Sequence, residues 1–270
     1  SYPSIIVAWN DRVQRLSGTG GGNFSKQQSA TLPTQVTAMI SCNTGRTDAQ
    51  TLFVSTKFSL ELHSVALRFD GTFDAPVRIA QGVTVDSLGC ADLDGDGKEE
   101  LVSSDAGAEL SVWWTNKPGG VTQQRIPTTG TCTQNELTTA DIDQDGDIDV
   151  VLSCTQGLLR LQNQQGNLVP LPIIASASPL GRGILATDLS GDGWPELVYI
   201  DRGQKRILAT QADRQGGYLP PVVLHTDAGQ SWLGAQRLLL ADFNLDAKPD
   251  VFYSGLSNGT SFLVMLNQSK

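Results

Sequence analysis

The sequence predicts an all-β protein assembled from a repeated unit of roughly 50 residues. Short apolar runs rich in β-branched residues alternate with turns, and the 270 residues include 28 glycines and 12 prolines. An acidic nine-residue pattern starts at residues 92, 141, 188 and 242, and each copy leads directly into an apolar run. Repetition at a nearly constant period favours one array over two unrelated domains, so we predict a single domain covering residues 1–270.

The clearest copy of the pattern is residues 141–149, which reads Asp-x-Asp-x-Asp-Gly-x-x-Asp. Five carboxylates so close together repel one another unless a cation lies among them, and hard oxygen ligands in this number suit Ca²⁺. Gly146 gives the backbone the freedom to wrap around an ion. The expected ligands are Asp141, Asp143, Asp145, the Asp147 carbonyl and Asp149.

Three further copies keep most of these oxygen donors, and we expect three calcium sites, with a fourth possible at 242–250. The last copy is the weakest, because Ala247 replaces the glycine and Asn244 is a neutral ligand. If ligand charge sets affinity, the loop 141–149 binds most tightly. In the other loops the expected ligands, with position 7 contributing its carbonyl, are Asp92, Asp94, Asp96, Lys98 and Glu100; Asp188, Ser190, Asp192, Trp194 and Glu196; and Asp242, Asn244, Asp246, Lys248 and Asp250.

The pattern is not that of an EF-hand. An EF-hand loop has a bidentate Glu at position 12 and a helix on each side. Position 12 is Leu152, and the flanking run 149–153 is apolar and β-branched, which indicates a strand. A decayed copy at 43–51 keeps the following strand but has lost nearly all its carboxylates, so we predict no ion there.

Each complete repeat is predicted to contain four strands, for example 137–140, 149–154, 158–162 and 168–174, with the acidic loop between the first two. Four-stranded antiparallel units stacked around an axis form a β-propeller. The first unit lacks its first strand and the last unit lacks its fourth, which predicts about six blades, with five or seven as alternatives. The glycine-rich segment 17–24 is predicted to be a flexible connection, since it lacks the Lys and the helix of a phosphate-binding loop.

A first strand, the acidic loop and a following Leu-Val together resemble the FG-GAP (VCBS-type) repeat. That repeat builds the propeller of integrin α-subunits, many secreted propellers and some fungal lectins. The resemblance covers essentially the whole chain and implies a calcium-binding propeller. The departures are the decayed loop 43–51, the Asn/Ala variant at 242–250 and Ser190 in place of the middle aspartate, and they bear on the number of ions.

The four cysteines are consistent with two disulfides. Cys132 and Cys154 flank the antiparallel strands on either side of the loop 141–149, and Cys42 and Cys90 occupy nearly equivalent places in neighbouring repeats. Disulfides indicate an oxidising compartment, so we expect a secreted, cell-surface or periplasmic protein. Four buried thiols are the alternative.

Composition and charge exclude several classes of function. The formal net charge of −9 arises mostly from the acidic loops, and no basic stripe suggests nucleic acid. The sequence contains no run of 18 apolar residues, the minimum that we would expect of a membrane-spanning helix. The two histidines, His63 and His225, show no nucleophile constellation, so we predict that the protein is not an enzyme.

Binding in propellers commonly uses variable loops on a rigid scaffold, here the connections between repeats. Trp232, Arg182 and Arg237 lie in or beside these connections and are the candidate ligand-binding residues. Our first hypothesis is a protein-binding adhesion or assembly module, and our second is a lectin recognising an extracellular glycan. A hydrolase is the third, and it would need a pocket with two close carboxylates outside the calcium loops. Trp9, Trp113 and Trp114 are expected to pack within the blades.

Overall fold

The computed structural model describes residues 4–21, 23–105, 109–115, 117, 120–128, 132, 136–213, 217–226, 237–254 and 262–268. These residues form 23 strands in six antiparallel sheets and no helix. The chain divides into two compact units. The first unit is residues 1–92, 96–106 and 110–125, and the second is residues 93–95, 107–109 and 126–270.

The first three sheets are antiparallel meanders, because each strand pairs with the next one in the chain. The first sheet contains β1 (Ser4–Trp9), β2 (Arg12–Gly20) and β3 (Asn23–Thr31). The second contains β4 (Val36–Cys42), β5 (Ala49–Thr56), β6 (Glu61–Arg68) and β7 (Val77–Gln81). The third contains β8 (Ser87–Ala91), β9 (Glu100–Ser104), β10 (Glu109–Trp114) and β11 (Thr122–Pro127).

The second unit repeats the same topology three times. Its first sheet contains β12 (Glu136–Ala140), β13 (Asp149–Cys154), β14 (Gly157–Gln164), β15 (Asn167–Pro170) and the short β16 (Ile174–Ala175), which pairs with β14. The next contains β17 (Leu180–Thr187), β18 (Glu196–Asp201), β19 (Arg206–Gln211) and β20 (Val222–Thr226). The last contains β21 (Arg237–Ala241), β22 (Asp250–Ser254) and β23 (Phe262–Met265).

The strand that follows each acidic loop lies in the core of its sheet. Every residue of β9 and β13 is buried, as their apolar sequences predict. In the second unit, neighbouring sheets share clusters such as Val151, Leu158, Leu197 and Tyr199. Apolar side chains of these strands therefore contact a neighbouring sheet. Because both faces of each strand are buried, their sequences lack the polar alternation of a half-exposed strand.

The sequence prediction of a six-bladed β-propeller is confirmed. As predicted, the first described sheet has three strands and begins at the second strand of the repeat, and the last described sheet has three strands and ends at the third. The prediction for residues 17–24 is wrong. Ser17 pairs with Ser25 and Gly18 with Phe24, so β2 and β3 extend through most of this segment and only Gly21 of the described residues lies in the turn. Glycine lowers strand propensity, but the cross-strand hydrogen bonds of a long hairpin override that preference here.

Both expected disulfides are present, between Cys42 and Cys90 in the first unit and between Cys132 and Cys154 in the second. Their Cα atoms lie 5.6 and 4.6 Å apart, within the usual range for a disulfide. The packing prediction holds for Trp113, which is buried and donates its indole N–H to Ser103, but is wrong for Trp9, which is exposed at the end of β1. No helix in the described part of the chain is long and apolar enough to cross a membrane.

Candidate functional site

The acidic loops hold their shape through the same hydrogen bonds. The carboxylate at position 1 accepts the backbone N–H at position 6, as Asp141 does from Gly146 (3.0 Å) and Asp188 from Gly193 (2.8 Å). The carboxylate at position 5 accepts the N–H at position 7. Equivalent bonds in the other two loops join Asp92 to Gly97, Asp96 to Lys98, Asp242 to Ala247 and Asp246 to Lys248. Local spacing along the chain therefore determines the loop conformation.

Three of the four loops bring carboxylates close enough to share a cation. The ligand atoms of each group lie within 4.8 Å of one another. The groups are Asp92, Asp94 and Asp96; Asp141, Asp143 and Asp145; and Asp188, Asp192 and Glu196. No such group among the described residues includes the loop 242–250, where the Asn244 side chain donates to Asp246 (3.1 Å).

Two oxygens in the loop 141–149 have no hydrogen-bond partner in the described part of the chain. They are Oδ1 of Asp141 and Oδ1 of Asp143, and both are buried. Buried carboxylate oxygens are costly without a donor or a cation. These two oxygens, at positions 1 and 3, remain available to a cation, whereas the carboxylate at position 9 of the same loop already has partners within the chain.

The carboxylate at position 9 is buried and closes its loop onto the third strand of the sheet. Asp149 accepts the N–H of Ile142 (3.3 Å) and the N–H of Asn163 (2.8 Å). Asp250 repeats this arrangement with Phe243 (2.8 Å) and Asn267 (2.7 Å). Burial raises the pKa of Asp149 to about 6, against the opposing effects of the Asn163 N–H and the Arg160 guanidinium.

A buried arginine reaches into the loop 141–149, and sequence reasoning missed it. Nη2 of Arg160 lies 2.8 Å from Oδ2 of Asp149 and also contacts Oδ2 of Asp143. The amide of Gln162 donates to the same Asp143 oxygen (2.9 Å). Arg160 belongs to β14, beyond the nine-residue pattern, so only the strand register connects it with the loop.

The loop 188–196 contacts a neutral side chain from the matching strand. The amide of Gln211 in β19 donates to Asp192 (3.0 Å), to Glu196 (3.1 Å) and to the Trp194 carbonyl (3.3 Å). The hydroxyl of Ser190 lies 3.5 Å from Asp188. The Trp194 side chain packs, partly buried, against the core cluster that includes Leu197, which favours a packing role for its ring.

Side chains at position 7 serve other contacts in the described structure. Nζ of Lys98 lies 3.4 Å from Oδ2 of Asp96, and the Asp147 carboxylate accepts the N–H of Gln165 (3.2 Å). The amides of Asn163 and Asn267 also donate to the carbonyls of Leu93 and Leu189, which are the second residues of acidic loops. An asparagine at or just beyond the end of the third strand of one repeat therefore holds the loop of the preceding repeat.

Two of the three candidate ligand-binding residues lie around one carboxylate. Nη1 of Arg237 at the start of β21 is 3.0 Å from Oε2 of Glu136 at the start of β12. Burial raises the pKa of Glu136, while Arg237 and Arg182 oppose the shift. The third candidate, Trp232, lies outside the described residues.

The second unit also contains a cleft of about 390 Å³ beside β18 and β19. Its lining includes Tyr199, Asp201, Arg206 and Tyr218. Asp201 is buried and accepts hydrogen bonds from Arg206 (2.7 Å) and Ser178 (2.5 Å). Burial raises the pKa of Tyr218 to about 12, against the opposing effect of the nearby Arg160 guanidinium.

His63 is a core residue of the second sheet. It lies buried in β6, with Nε2 3.7 Å from Oε2 of Glu61, and burial lowers its pKa. Arg78 pairs with the same glutamate (2.9 Å). The charge of Glu61 is therefore already matched by an arginine.

Comparison with known families supports the repeat assignment. Residues 92–152 match the FG-GAP-like repeat. The chain is a β-propeller with an FG-GAP-like repeat. The matched segment contains the loops 92–100 and 141–149, so the resemblance predicted from the sequence is confirmed. A search of curated protein sequences gives no match.

Solved structures share the fold at low sequence identity. One is an Agrocybe aegerita lectin, described as recognising non-reducing terminal N-acetylglucosamine, with 15% identity, 100% of this chain and 77% of that chain covered, and a TM-score of 0.65. A BBS1N–ARL6DN complex gives 12% identity, coverage of 99% and 76%, and a TM-score of 0.67. The Pseudomonas aeruginosa periplasmic gluconolactonase PpgL has 14% sequence identity, with 95% of this chain and 80% of that chain covered, and a TM-score of 0.56. These similarities establish the fold alone.

Proposed function

We propose that this protein is a calcium-stabilised, extracytoplasmic β-propeller that binds a protein partner as an adhesion or assembly module. The observation that carries the proposal is the exposed apolar edge of β20. Val222 and Val223 are 64% and 46% exposed, and Leu224 is also exposed. In the described part of its sheet, β20 pairs with β19 alone.

Four of the other outermost strands carry a residue that normally protects a sheet edge. The outermost strand of the last sheet, β23, carries none, but its described side chains are half-buried, whereas the apolar side chains of β20 are exposed. Natural proteins place charges or proline on such strands to prevent pairing with another chain. β20 has neither, since its sequence is Val-Val-Leu-His-Thr. The protecting residues elsewhere are Lys26 in β3, Arg78 in β7, Arg125 in β11 and Pro170 in β15.

An extended segment of a partner protein fits this edge. Strand addition supplies main-chain hydrogen bonds, and alternate apolar side chains supply further contact area. The BBS1N–ARL6DN complex supports the idea that a propeller of this fold can bind a protein.

Calcium and an oxidising compartment complete the proposal. The carboxylate groups at 92–96 and 188–196 support bound Ca²⁺, because each offers several hard oxygen ligands. Two disulfides support a location outside the cytoplasm. The ions stabilise the loops, and partner binding takes place elsewhere.

The test compares Val222→Asp with Val77→Asp. Both valines are the first residue of a fourth strand, and Val77 is 61% exposed, so the two changes are matched in position and exposure. Proteins that bind the immobilised wild type are identified by mass spectrometry in calcium-containing buffer. We expect a specific partner to be retained by Val77→Asp and lost with Val222→Asp. Equal retention by both variants would rule out β20 as the binding edge.

Carbohydrate binding is the second candidate, and the cleft beside β18 and β19 favours it. Its volume lies at the small end of the range of small-molecule sites, roughly 300–1,000 Å³. It combines two tyrosines with Asp201 and Arg206, and the lectin of the same fold recognises a sugar. A glycan array showing saccharide binding that survives Val222→Asp and is lost in Arg206→Gln would place lectin function above protein binding.

Hydrolysis has less support from the cleft. Among the described residues that line it, Asp201 is the one carboxylate, and its oxygens already accept bonds from Ser178 and Arg206. A glycosidase of the usual kind needs two carboxyl groups across the scissile bond. The protein is therefore proposed as a binding module and not as an enzyme.

A further inference from the structure

The loop with the most carboxylates contains a positive charge supplied by the chain itself. Arg160 is only 3% exposed, and its guanidinium contacts the position-3 carboxylate, Asp143, and the position-9 carboxylate, Asp149. Asp149 is completely buried. Arginine stays protonated at any accessible pH, so this charge is permanent.

Among the four sheets with acidic loops, only the sheet of the loop 141–149 has an arginine at this position of the third strand. Arg160 stands opposite Val151, two residues beyond its loop. The residues at the same register position after the other three acidic loops are all apolar: Val112 opposite Val102, Ala209 opposite Val198 and Val264 opposite Phe252. The other loops therefore receive no cation from this position.

The guanidinium competes directly with a metal ion for ligands. Positions 3 and 9 are two of the four side-chain ligands expected in such a loop. Both oxygens of Asp149 are engaged, Oδ1 by the Asn163 N–H and Oδ2 by Ile142 and Arg160. A divalent ion at this position would have to displace a buried ion pair, and it would lie close to a fixed positive charge.

The decayed loop 43–51 gives an independent precedent within the same chain. There Nη2 of Arg46 lies 2.9 Å from Oδ2 of Asp48, and Nη1 of Arg68 lies 3.2 Å from the same oxygen. A loop at the equivalent place in another repeat thus also has its carboxylate matched by guanidinium groups.

We propose that Arg160 is the built-in cation of the loop 141–149, so that this loop is organised without a bound divalent ion. The loops 92–100 and 188–196 take their ions from solution. Carboxylate count alone would make the loop 141–149 the tightest calcium site, and Arg160 instead makes it the loop that binds no calcium. The competing role, in which Arg160 orients Asp143 and Asp149 around an ion held by the two unpartnered Oδ1 atoms, predicts the opposite response to loss of Arg160.

Equilibrium dialysis against radioactive calcium separates the two roles. Asp145→Ala should leave the number of ions bound by the wild-type protein unchanged, whereas the matched change Asp96→Ala, also at position 5, should remove one. Arg160→Met should add one ion, and the double variant Arg160→Met/Asp145→Ala should lose it again. Loss of one ion in Asp145→Ala, or fewer ions in Arg160→Met, would overturn the proposal.

A stability measurement provides a second readout. Arg160→Met leaves the buried Asp149 carboxylate beside the half-buried Asp143 carboxylate with no cation between them, so its melting temperature in EDTA should fall well below that of the wild type and recover strongly in calcium. Arg160→Lys keeps the charge and should bind the same number of ions as the wild type. If Arg160→Met does not fold even in calcium, Asp145→Ala in the wild-type background still decides the question. An Arg160→Met variant that melts in EDTA at the wild-type temperature would contradict a cationic role.

Discussion

The loops 141–149 and 188–196 share one backbone design and differ in how their charge is balanced. In both, position 1 accepts the N–H of the glycine at position 6, and position 5 accepts the N–H of position 7 (2.9 Å in each). A buried guanidinium from β14 reaches the first loop, and the neutral amide of Gln211 from β19 reaches the second. The comparison teaches that the acidic motif specifies a loop conformation, while residues on the third strand of the same sheet decide which cation the loop can take.

The largest expected effect comes from removing the buried carboxylate that Arg160 contacts. Asp149→Ala leaves the guanidinium with Asp143 as its acidic partner and removes two backbone hydrogen bonds. Breaking one side of a buried ion pair costs about 3–5 kcal/mol of unfolding free energy. Urea denaturation should show this loss equally in calcium and in EDTA. A loss that appeared only in calcium would mean that Asp149 acts as a metal ligand.

Removal of calcium should have the next largest effect, and it should act through the loops 92–100 and 188–196. An ion that binds only the native state stabilises it by about 2.7 kcal/mol at 100 times its dissociation constant. EDTA should therefore lower the wild-type melting temperature, and Asp188→Ala should reduce the difference between the two conditions. Asp242→Ala in the weakest loop is the control and should change that difference least. An identical melting curve with and without EDTA would remove the calcium assignment altogether.

A smaller effect is expected from the alanine in the fourth loop. Ala247 has a φ of 65°, in the left-handed region, where the other three loops have glycine. A non-glycine residue in that region costs roughly 1–2 kcal/mol. Ala247→Gly should therefore stabilise the protein by about 1 kcal/mol in urea denaturation. The reciprocal change Gly146→Ala should destabilise it by a similar amount, because a Cβ there meets no atom within 4 Å and only backbone strain matters.

The smallest expected effect is a pH dependence that lies outside the acidic loops. Burial lowers the pKa of His63 below its ordinary value of 6.5. Below that pH the unfolded chain takes up a proton that the native state resists, so stability falls as the pH falls. In EDTA, which removes the contribution of bound metal, His63→Gln should flatten the curve of melting temperature against pH below about 6.5. An unchanged slope would assign the acid sensitivity to the carboxylates.

The sequence was sufficient for features that depend on local spacing. The four acidic loops and the strands that follow them lie where the pattern predicts, because each loop is held by hydrogen bonds between residues two to five positions apart. The pairing of Cys132 with Cys154 followed from the two strands that flank one loop. Residues 17–24 were mispredicted because hydrogen bonds to a partner strand outweighed the local preference of glycine.

The sequence by itself determined the β-propeller fold, the position of the acidic loops and the oxygen ligands they offer. The tertiary structure alone decided which of those ligands are already engaged, since Arg160 reaches Asp149 only through the register of β13 and β14. It also decided that the apolar side chains of β20 remain exposed at the edge of their sheet. Both depend on contacts between residues distant in the chain, and such contacts are set by strand pairing and packing, which a local pattern of residue types does not encode.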